Sequence, residues 1–403
     1  AIRGSSPDDN AFYIDDMPVG YIFHLFGDSI FNQNLVRDFR LDPAGFDASY
    51  GNAIGGIFDV SLRDPRNQDI QTTIDMSMLK ASAMIEGGIT ENTAFYASYR
   101  RSLIQLFLGE GDELDDDVKV YQAPESSDYQ SKFQWLLGDK HKLTFSLNGA
   151  QDSGGINISA QSEFGRVNPD VVGDASINAK FDSASLQWQY FGDNQNYFNL
   201  VGGYVKSSEN EKVGAGQFIK YDSNKLMMRA FYQHRISAQH LINVGADIMQ
   251  QDADYSFDLI PYFCTEHTTS CEDQKGERIQ DVATLKDTDS GLYISDIWTL
   301  TNDITAEIGI RAEHNDYTEQ QFFHPRLSVQ WQATDDLLLT TKAGSYSRFP
   351  DADKAVKKLG NPKLKSPESH HVSVKADYAI DTEWKTSLEV YYKTIDELAL
   401  ATN

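Results

Sequence analysis

Apolar and polar side chains alternate along most of this chain, from about residue 69 to its end. At residues 304–313 the even positions hold Ile, Ala, Ile, Ile and Ala, and the odd positions hold Thr, Glu, Gly, Arg and Glu. The same alternation recurs at residues 326–332, 371–378 and 384–392. A period of two predicts β-strands, here with one apolar face and one charged face.

The connections between these strands differ in length in a regular way. Short turns recur at residues 90–93, 138–140, 192–194, 237–239, 301–303, 334–336 and 381–383. Most longer connections fall between them, at residues 110–127, 153–173, 209–221, 257–286 and 349–367, with short exceptions near Lys80 and Thr318. Tight turns at one end and long loops at the other are typical of an outer-membrane barrel. Counting from Ile70, we expect about fifteen strands of about 9 to 18 residues, enough to cross a bilayer.

Composition narrows the class of protein. The chain has 403 residues, 12% of them aromatic, and a net charge of -25. This acidity argues against nucleic-acid binding, because phosphates need Lys and Arg to neutralise them. No apolar run approaches the roughly 20 residues of a membrane helix. A membrane crossing therefore requires a barrel, in which every backbone group pairs between strands.

The odd strand count also predicts that the chain is part of a longer protein. An odd number of strands leaves an open edge, and unpaired N–H and C=O groups at such an edge are costly in lipid. The chain also starts without a signal peptide. We therefore expect a fragment of a longer protein that continues beyond both ends.

Several motifs resemble those of the TonB-dependent outer-membrane receptors. Residues 2–4 read Ile-Arg-Gly, residues 15–19 form a turn with Pro18, and residues 50–60 hold Tyr-Gly and Gly-Gly before an apolar strand closed by Arg63. Residues 359–369 are similar to the family's Gly-Asn-Pro loop before a late strand. Asp16 departs from the family's usual Gly, and residues 41–46 lack the Arg that commonly joins plug to barrel by ion pairs.

The resemblance implies an all-β membrane barrel that holds a small α+β plug. Residues 1–66 would be the C-terminal half of the plug, and residues 67–403 the N-terminal two-thirds of a barrel of about 22 strands. It also implies a structural role in the plug for Arg3, Gly4, Tyr50, Gly51, Gly55 and Gly56. The glycines permit positive φ and close approach of strands. We expect Arg3 to pair with Glu307 or Glu313.

The apical plug loops of family members touch the substrate, and by position they are residues 5–10 and 20–27 here. The binding candidates in them are Asp8, Asp9, Asn10, Tyr21, Phe23, His24 and Phe26. Exposed aromatic side chains in a loop suit ligand binding. The alternative is that they only pack against the barrel wall.

Other chemistry-bearing residues suggest little. Cys264 and Cys271 lie in one polar segment, where a disulfide is favoured over two unpaired thiols. The acidic residues at 110–117 match no calcium-loop spacing, and the His370–His371 pair is weak evidence for a ligand set. We expect no bound metal, no cofactor and no catalytic constellation, so the chain is not expected to be an enzyme.

The resemblance implies active import of a scarce substrate across a Gram-negative outer membrane, with a ferric siderophore or other iron chelate as the default. Expected partners are TonB with ExbB and ExbD, through a segment outside this chain, and membrane lipid and lipopolysaccharide. Cobalamin, haem, oligosaccharide or peptide uptake stays open as an alternative. So does a non-transporting binding or adhesion barrel, and a barrel enzyme is the third and least favoured class.

Overall fold

Two β-sheets of different size make up this computed structural model. It describes residues 2–25, 27–115, 118–262, 275–350, 352–358 and 360–398. Cys264, Cys271 and Phe26 lie outside the described residues. In that described part, no helix is long and apolar enough to cross a membrane.

The smaller sheet belongs to residues 2–66, called the N-terminal unit below. Its strands are β1 (Ala11–Ile14), β2 (Met17–Val19), β3 (Val36–Asp42) and β4 (Ile57–Leu62), in the order β2-β1-β4-β3. A 3₁₀ turn at Pro7–Asp9 precedes them. Asp15 and Asp16 join β1 to β2 with φ of 48° and 69°. Two positive φ angles are those of a type I′ hairpin turn, which Asp tolerates, so the missing Gly does not break the turn.

The larger sheet runs from β5 to β20. Its strands are β5 (Gln71–Met76), β6 (Lys80–Thr90), β7 (Thr93–Ser102), β8 (Glu113–Asp115), β9 (Val118–Leu137), β10 (His141–Ile158), β11 (Gly173–Phe191), β12 (Tyr197–Val213), β13 (Gln217–Arg235), β14 (His240–Leu259), β15 (Ile279–Thr299), β16 (Ile304–Asn315), β17 (Gln320–Thr334), β18 (Leu337–Ser347), β19 (Glu368–Ala379) and β20 (Lys385–Asp396). Short helices α1 (Glu163–Val167) and α2 (Ala352–Ala355) lie in the connections. Fifteen of the strands pair in sequence order, with β8 beside β9, which confirms the expected strand count.

The middle strands are longer than a bilayer requires. Strands β9 to β15 have 17 to 21 residues each, whereas about 9 to 11 suffice for a crossing. The expected long connection at residues 209–221 was wrong, because β12 continues to Val213 and β13 begins at Gln217. Polar residues on both faces there look like a loop in sequence, yet they pair as strands beyond the apolar layer.

Burial in the large sheet is reversed relative to a soluble protein. On β9, Asp128, Gln130 and Lys132 are only 3%, 1% and 4% exposed, whereas Phe133 and Trp135 are 38% and 46% exposed. The charged face lies against the N-terminal unit and the apolar face points outward. A lipid-facing apolar surface around a polar interior is what a transmembrane barrel presents.

All five tryptophans of the chain lie near the short-turn end of the sheet. They are Trp135, Trp188, Trp298, Trp331 and Trp384. Each is exposed and lies at or close to one of the short turns. Tryptophan is enriched at membrane–water interfaces, so these residues mark one boundary of the apolar layer.

The large sheet curves around the N-terminal unit. Arg63 of the unit pairs with Glu86 on β6, and Ser5 contacts Lys393 on β20, at opposite ends of the sheet. Between them, apolar side chains of both parts share one cluster, for example Leu35 with Tyr96. The concave side is called the lumen below.

The two-faced pattern predicts a depth-dependent cost of charge on the outward face of β15. Leu292 and Val282 lie on this face, 65% and 74% exposed. Leu292 lies about 20 Å along the strand from the tryptophan layer and Val282 about 53 Å. We expect Leu292→Arg to destabilise the folded barrel by about 2 to 4 kcal/mol and Val282→Arg by less than about 1 kcal/mol. Denaturant unfolding in lipid vesicles measures both, and equal costs would contradict this placement of the membrane.

Candidate functional site

A cavity of about 540 Å³ opens between the N-terminal unit and the lumen wall. Asp8, Asn10 and Asn52 of the unit border it, together with residues of β12 to β16. Tyr221 and Tyr255 stand among its wall residues. This cavity is called the vestibule below. Its volume is in the range of small-ligand sites, about 300 to 1,000 Å³.

Residues 47–52, called the clamped segment below, contribute Ser49, Gly51 and Asn52 to the lining of the vestibule. Three arginines on three strands donate to its backbone carbonyls. Arg229 Nη2 lies 2.8 Å from Ser49 O, Arg311 Nη1 lies 3.5 Å from Ala48 O, and Arg326 Nη1 lies 2.7 Å from Tyr50 O. Arg326 also donates to Asp47 O. Charged donors make stronger hydrogen bonds than neutral ones, so the segment is held firmly to the wall.

Two of the wall arginines have further partners besides the clamped segment. Arg311 is 3% exposed, and it donates to both carboxylate oxygens of Asp247 at 2.8 Å and to Glu313 at 2.7 Å. Arg326 lies over the rings of Phe46 and Tyr346, with 4.9 Å and 4.5 Å to the ring centroids. A buried charge needs such partners to offset its lost hydration.

Gly51 is the point where the clamped segment approaches the wall most closely. A Cβ added there would lie 1.8 Å from Glu313 Oε1 and 2.4 Å from Arg311 Nε. Gly51 does not adopt positive φ. Its requirement for glycine therefore comes from close approach to the ion pair.

Asn52 connects three parts of the molecule. Its φ of 52° turns the chain, and its N–H donates to Glu313 at 3.2 Å. Its side-chain Nδ2 donates to Asp289 at 3.3 Å, and its Oδ1 accepts from the N–H of Phe349 at 2.8 Å. The tip of the unit, the lumen wall and a long outer connection therefore meet at one side chain.

The other glycines and Arg3 shape the N-terminal unit. A Cβ at Gly55 would lie 2.5 Å from Asn10 Oδ1, and a Cβ at Gly56 would lie 2.9 Å from Asp42 O. Gly4 has a φ of 75°. Arg3 pairs with Glu389 of β20 and lies over Tyr391, so the expected partners Glu307 and Glu313 were wrong. Glu389 lies near the end of the chain, on β20. The sequence alone does not show which residues of β20 lie level with Arg3.

Tyr50 contacts two other residues of the N-terminal unit. Its hydroxyl donates to Asp59 Oδ2 at 2.6 Å, and Arg40 lies over its ring at 5.1 Å. Burial raises the pKa of the Asp59 carboxyl, which the hydrogen bond from Tyr50 partly offsets.

His24 fixes the opposite side of the unit to the wall. Its Nδ1 lies 2.9 Å from Asp152 Oδ1 and its Nε2 lies 3.2 Å from Asp128 Oδ2. Arg100 donates to Asp128 and also to Ser29 O of the unit, at 2.6 Å for the latter. Burial lowers the pKa of His24, but the hydrogen bonds and charges of the two carboxylates outweigh it and raise the pKa above 6.5.

The binding candidates from the sequence separate into three groups. Asp8 and Asn10 border the vestibule. Asp9 lies 3.7 Å from Arg348 of the outer connection, Tyr21 packs edge-on against Phe181, and His24 lies in the ion pair described above.

Phe23 lies with Phe39 and Phe58, at centroid distances of 6.5 and 6.4 Å, and is not among the vestibule residues. Within the ranges described above, no group of three or more His, Cys, Asp or Glu side chains has metal-binding geometry.

Sequence reasoning missed the clamp arginines, Asn52 and the two carboxylates beside His24. One signal was available, because Arg311 and Glu313 occupy the charged face of an alternating strand. Full charges spaced two residues apart on a lumen face require partners. The partners themselves lie up to about 280 residues away in sequence, as for Arg326 and Asp47.

A family model decides the relationship of this chain to known proteins. The model described as TonB dependent receptor-like, beta-barrel matches residues 109–403. The chain belongs to the TonB-dependent receptor family. TonB-dependent receptors are outer-membrane proteins of Gram-negative bacteria, and they are transporters and receptors rather than enzymes. No curated protein matches the chain.

Solved structures of TonB-dependent receptors share the fold. A mutant of the ferric enterobactin receptor PfeA of Pseudomonas aeruginosa is similar with a TM-score of 0.69 at 13% identity, over 98% of this chain and 64% of that one. The siderophore receptor PirA of the same organism gives 0.68 at 13%, over 98% and 68%. The FrpB iron transporter of Neisseria meningitidis gives 0.72 at 16%, over 96% and 65%. The chain thus spans 64% of the length of the first of these receptors.

The His24 contacts predict that seating of the N-terminal unit depends on pH. A folded pKa above the unfolded value near 6.5 gives stability that is complete below that value and lost as pH rises through the folded pKa. We expect slower protease cleavage of residues 20–35 at about pH 6 than at about pH 9. His24→Gln should remove most of this difference, whereas the matched variant His141→Gln, at the short-turn end of the wall, should keep it. Equal cleavage of the native protein at both pH values would refute the effect.

The clamp predicts a local loss of stability in Arg326→Ala. Two carbonyl oxygens lose a charged donor, and we expect the opening free energy of residues 47–55 to fall by about 3 kcal/mol. Hydrogen exchange with mass spectrometry on that peptide measures the change. Arg101→Ala, which removes an exposed pair with Glu125, should leave the peptide unchanged. Native-like exchange in Arg326→Ala would show that the clamp contributes nothing.

Proposed function

We propose that the protein imports a scarce substrate across the outer membrane in a TonB-dependent manner. The observation that carries the proposal is a ligand-sized vestibule closed beneath by a segment bound to three wall arginines. A cavity enclosed between the N-terminal unit and the lumen wall suits a gated passage better than an open pore. Family membership supports the same mechanism.

In this proposal residues 1–66 act as the C-terminal half of a plug and residues 67–403 as the N-terminal two-thirds of its barrel. The lumen wall holds the plug on two sides, through the clamped segment and through His24. Energy relayed by TonB, with ExbB and ExbD, would release contacts of this kind. The outward apolar face would contact membrane lipid and lipopolysaccharide.

We further propose that the substrate is a ferric siderophore or another iron chelate. The similar structures named above are those of a ferric enterobactin receptor, a siderophore receptor and an iron transporter. Asp8 and Asn10 of the plug would contact the ligand from below, with Tyr221 and Tyr255 at its side. Asp9, Tyr21, Phe23 and His24 would act mainly by positioning the plug, because each packs against other protein groups.

Uptake of radiolabelled iron tests the function directly. The complete gene is expressed in a Gram-negative host that lacks its own iron-chelate receptors, and the cells are offered a panel of ferric siderophores. We expect iron accumulation from at least one chelate, and we expect it to stop when TonB is deleted or a protonophore is added. Accumulation that persists without TonB would contradict energy coupling. Binding without accumulation would favour the non-transporting receptor instead.

A further inference from the structure

We propose that the vestibule selects an iron chelate that carries cationic groups over a polyanionic one. This charge selection rests on the import function proposed above. The experiment below can contradict the charge selection and the import function separately.

The charges around the vestibule are unequal. Four basic residues border it: Lys225, Arg229, Arg311 and Arg348. Asp247 and Glu313 border it too, and both are bound to Arg311. Five further carboxylates belong to its lining: Asp8, Glu209, Glu211, Asp287 and Asp289.

Most of the positive charge is already engaged by the protein. Arg229 donates to Ser49 O, Arg311 is bound to its two carboxylates, and Arg348 lies 3.7 Å from Asp9. The lining as a whole therefore holds seven carboxylates against four cations. A cavity lined by one sign of charge raises the local concentration of ligands of the opposite sign.

Asp287 and Asp289 form an acidic pair on the wall of the vestibule. They lie two residues apart on β15 and therefore face the same side. Neutral amides donate to them, namely Asn52 to Asp289 at 3.3 Å and Asn315 to both. No Lys, Arg or His of the described ranges lies within 4.0 Å of either carboxylate. These neutral donors orient the two carboxyl groups, and the oxygen lone pairs that remain can accept hydrogen bonds from an ammonium or guanidinium group.

Aromatic faces in the same cavity point to the same ligand class. The rings of Tyr221 and Tyr255 lie with centroids 4.8 Å apart, and both belong to the lining. Tyr317 and Phe349 border the cavity as well. Aromatic faces beside carboxylates attract ammonium and guanidinium groups through the ring quadrupole. An iron complex of catecholates, which is polyanionic, would meet repulsion from the same wall.

Three iron chelates distinguish the charge classes. The first is a linear trihydroxamate complex with a free terminal ammonium group, the second is the same complex with that amine acetylated, and the third is a tris-catecholate complex. Equilibrium dialysis of radiolabelled iron against the purified full-length receptor in detergent measures binding. We expect the ammonium form to bind about tenfold more tightly than the acetylated form at low salt, and this ratio should fall as salt is raised.

Variants of wall carboxylates test whether the acidic pair causes the selection. The double variant Asp287→Asn, Asp289→Asn should reduce the tenfold ratio to about twofold or less. Asp252→Asn on the neighbouring strand, whose carboxylate pairs with exposed Lys286 outside the vestibule, should leave the ratio unchanged. Heat-modifiable migration on a detergent gel confirms that each variant retains a folded barrel.

Three outcomes would overturn the selection: tighter binding of the tris-catecholate complex, a ratio that survives the double substitution, or no binding of any of the three chelates. Import of the tris-catecholate complex that requires TonB would leave the proposed function standing while the charge selection fails. Selective binding of the ammonium form without TonB-dependent import would do the reverse.

Discussion

The attachment of four successive backbone carbonyls to the wall is the interaction on which the rest of the structure depends. Residues 47–50 turn their carbonyl oxygens toward Arg229, Arg311 and Arg326, which come from three different strands. Each arginine is placed by its strand register, and Arg311 is neutralised by Asp247 and Glu313. The same contacts therefore hold the clamped segment, the lumen wall and the N-terminal unit in place relative to one another.

The unit is held on two sides by different chemistry. At the clamped segment, always-charged guanidinium groups donate to neutral carbonyls, so this side responds little to pH. At His24 the contact is between an imidazole and two carboxylates, and its strength follows protonation. The charge state of one side is thus constant across physiological pH, and that of the other changes with pH. The contact that varies with pH is therefore confined to one side of the unit.

The sequence allowed most of the wall to be predicted and little of the site. Strands such as β16 can be predicted, because the polarity of each residue indicates whether it faces the lumen or the outside. The short turns can be predicted as well, because their residue types favour turns. The hairpin at residues 213–217 could not be predicted from the sequence. Polar residues occupy both faces of the strands there, so apolar and polar positions do not alternate. The partner of Arg3 and the acceptors of the clamp arginines depend on strand register and sheet curvature across hundreds of residues. The crowding that requires Gly51 depends on the same long-range geometry.

The length of the middle strands has a consequence for how a ligand is received. Strands of 17 to 21 residues, tilted by about 40°, rise roughly 43 to 53 Å, well beyond a hydrocarbon layer of about 30 Å. The upper wall of the vestibule is consequently a hydrogen-bonded collar rather than a set of free loops. Tyr221, Tyr255 and Glu211 sit on this collar with their backbones already ordered. A ligand of the kind proposed above would meet a pre-organised surface, and little conformational entropy of the receptor would be lost on binding.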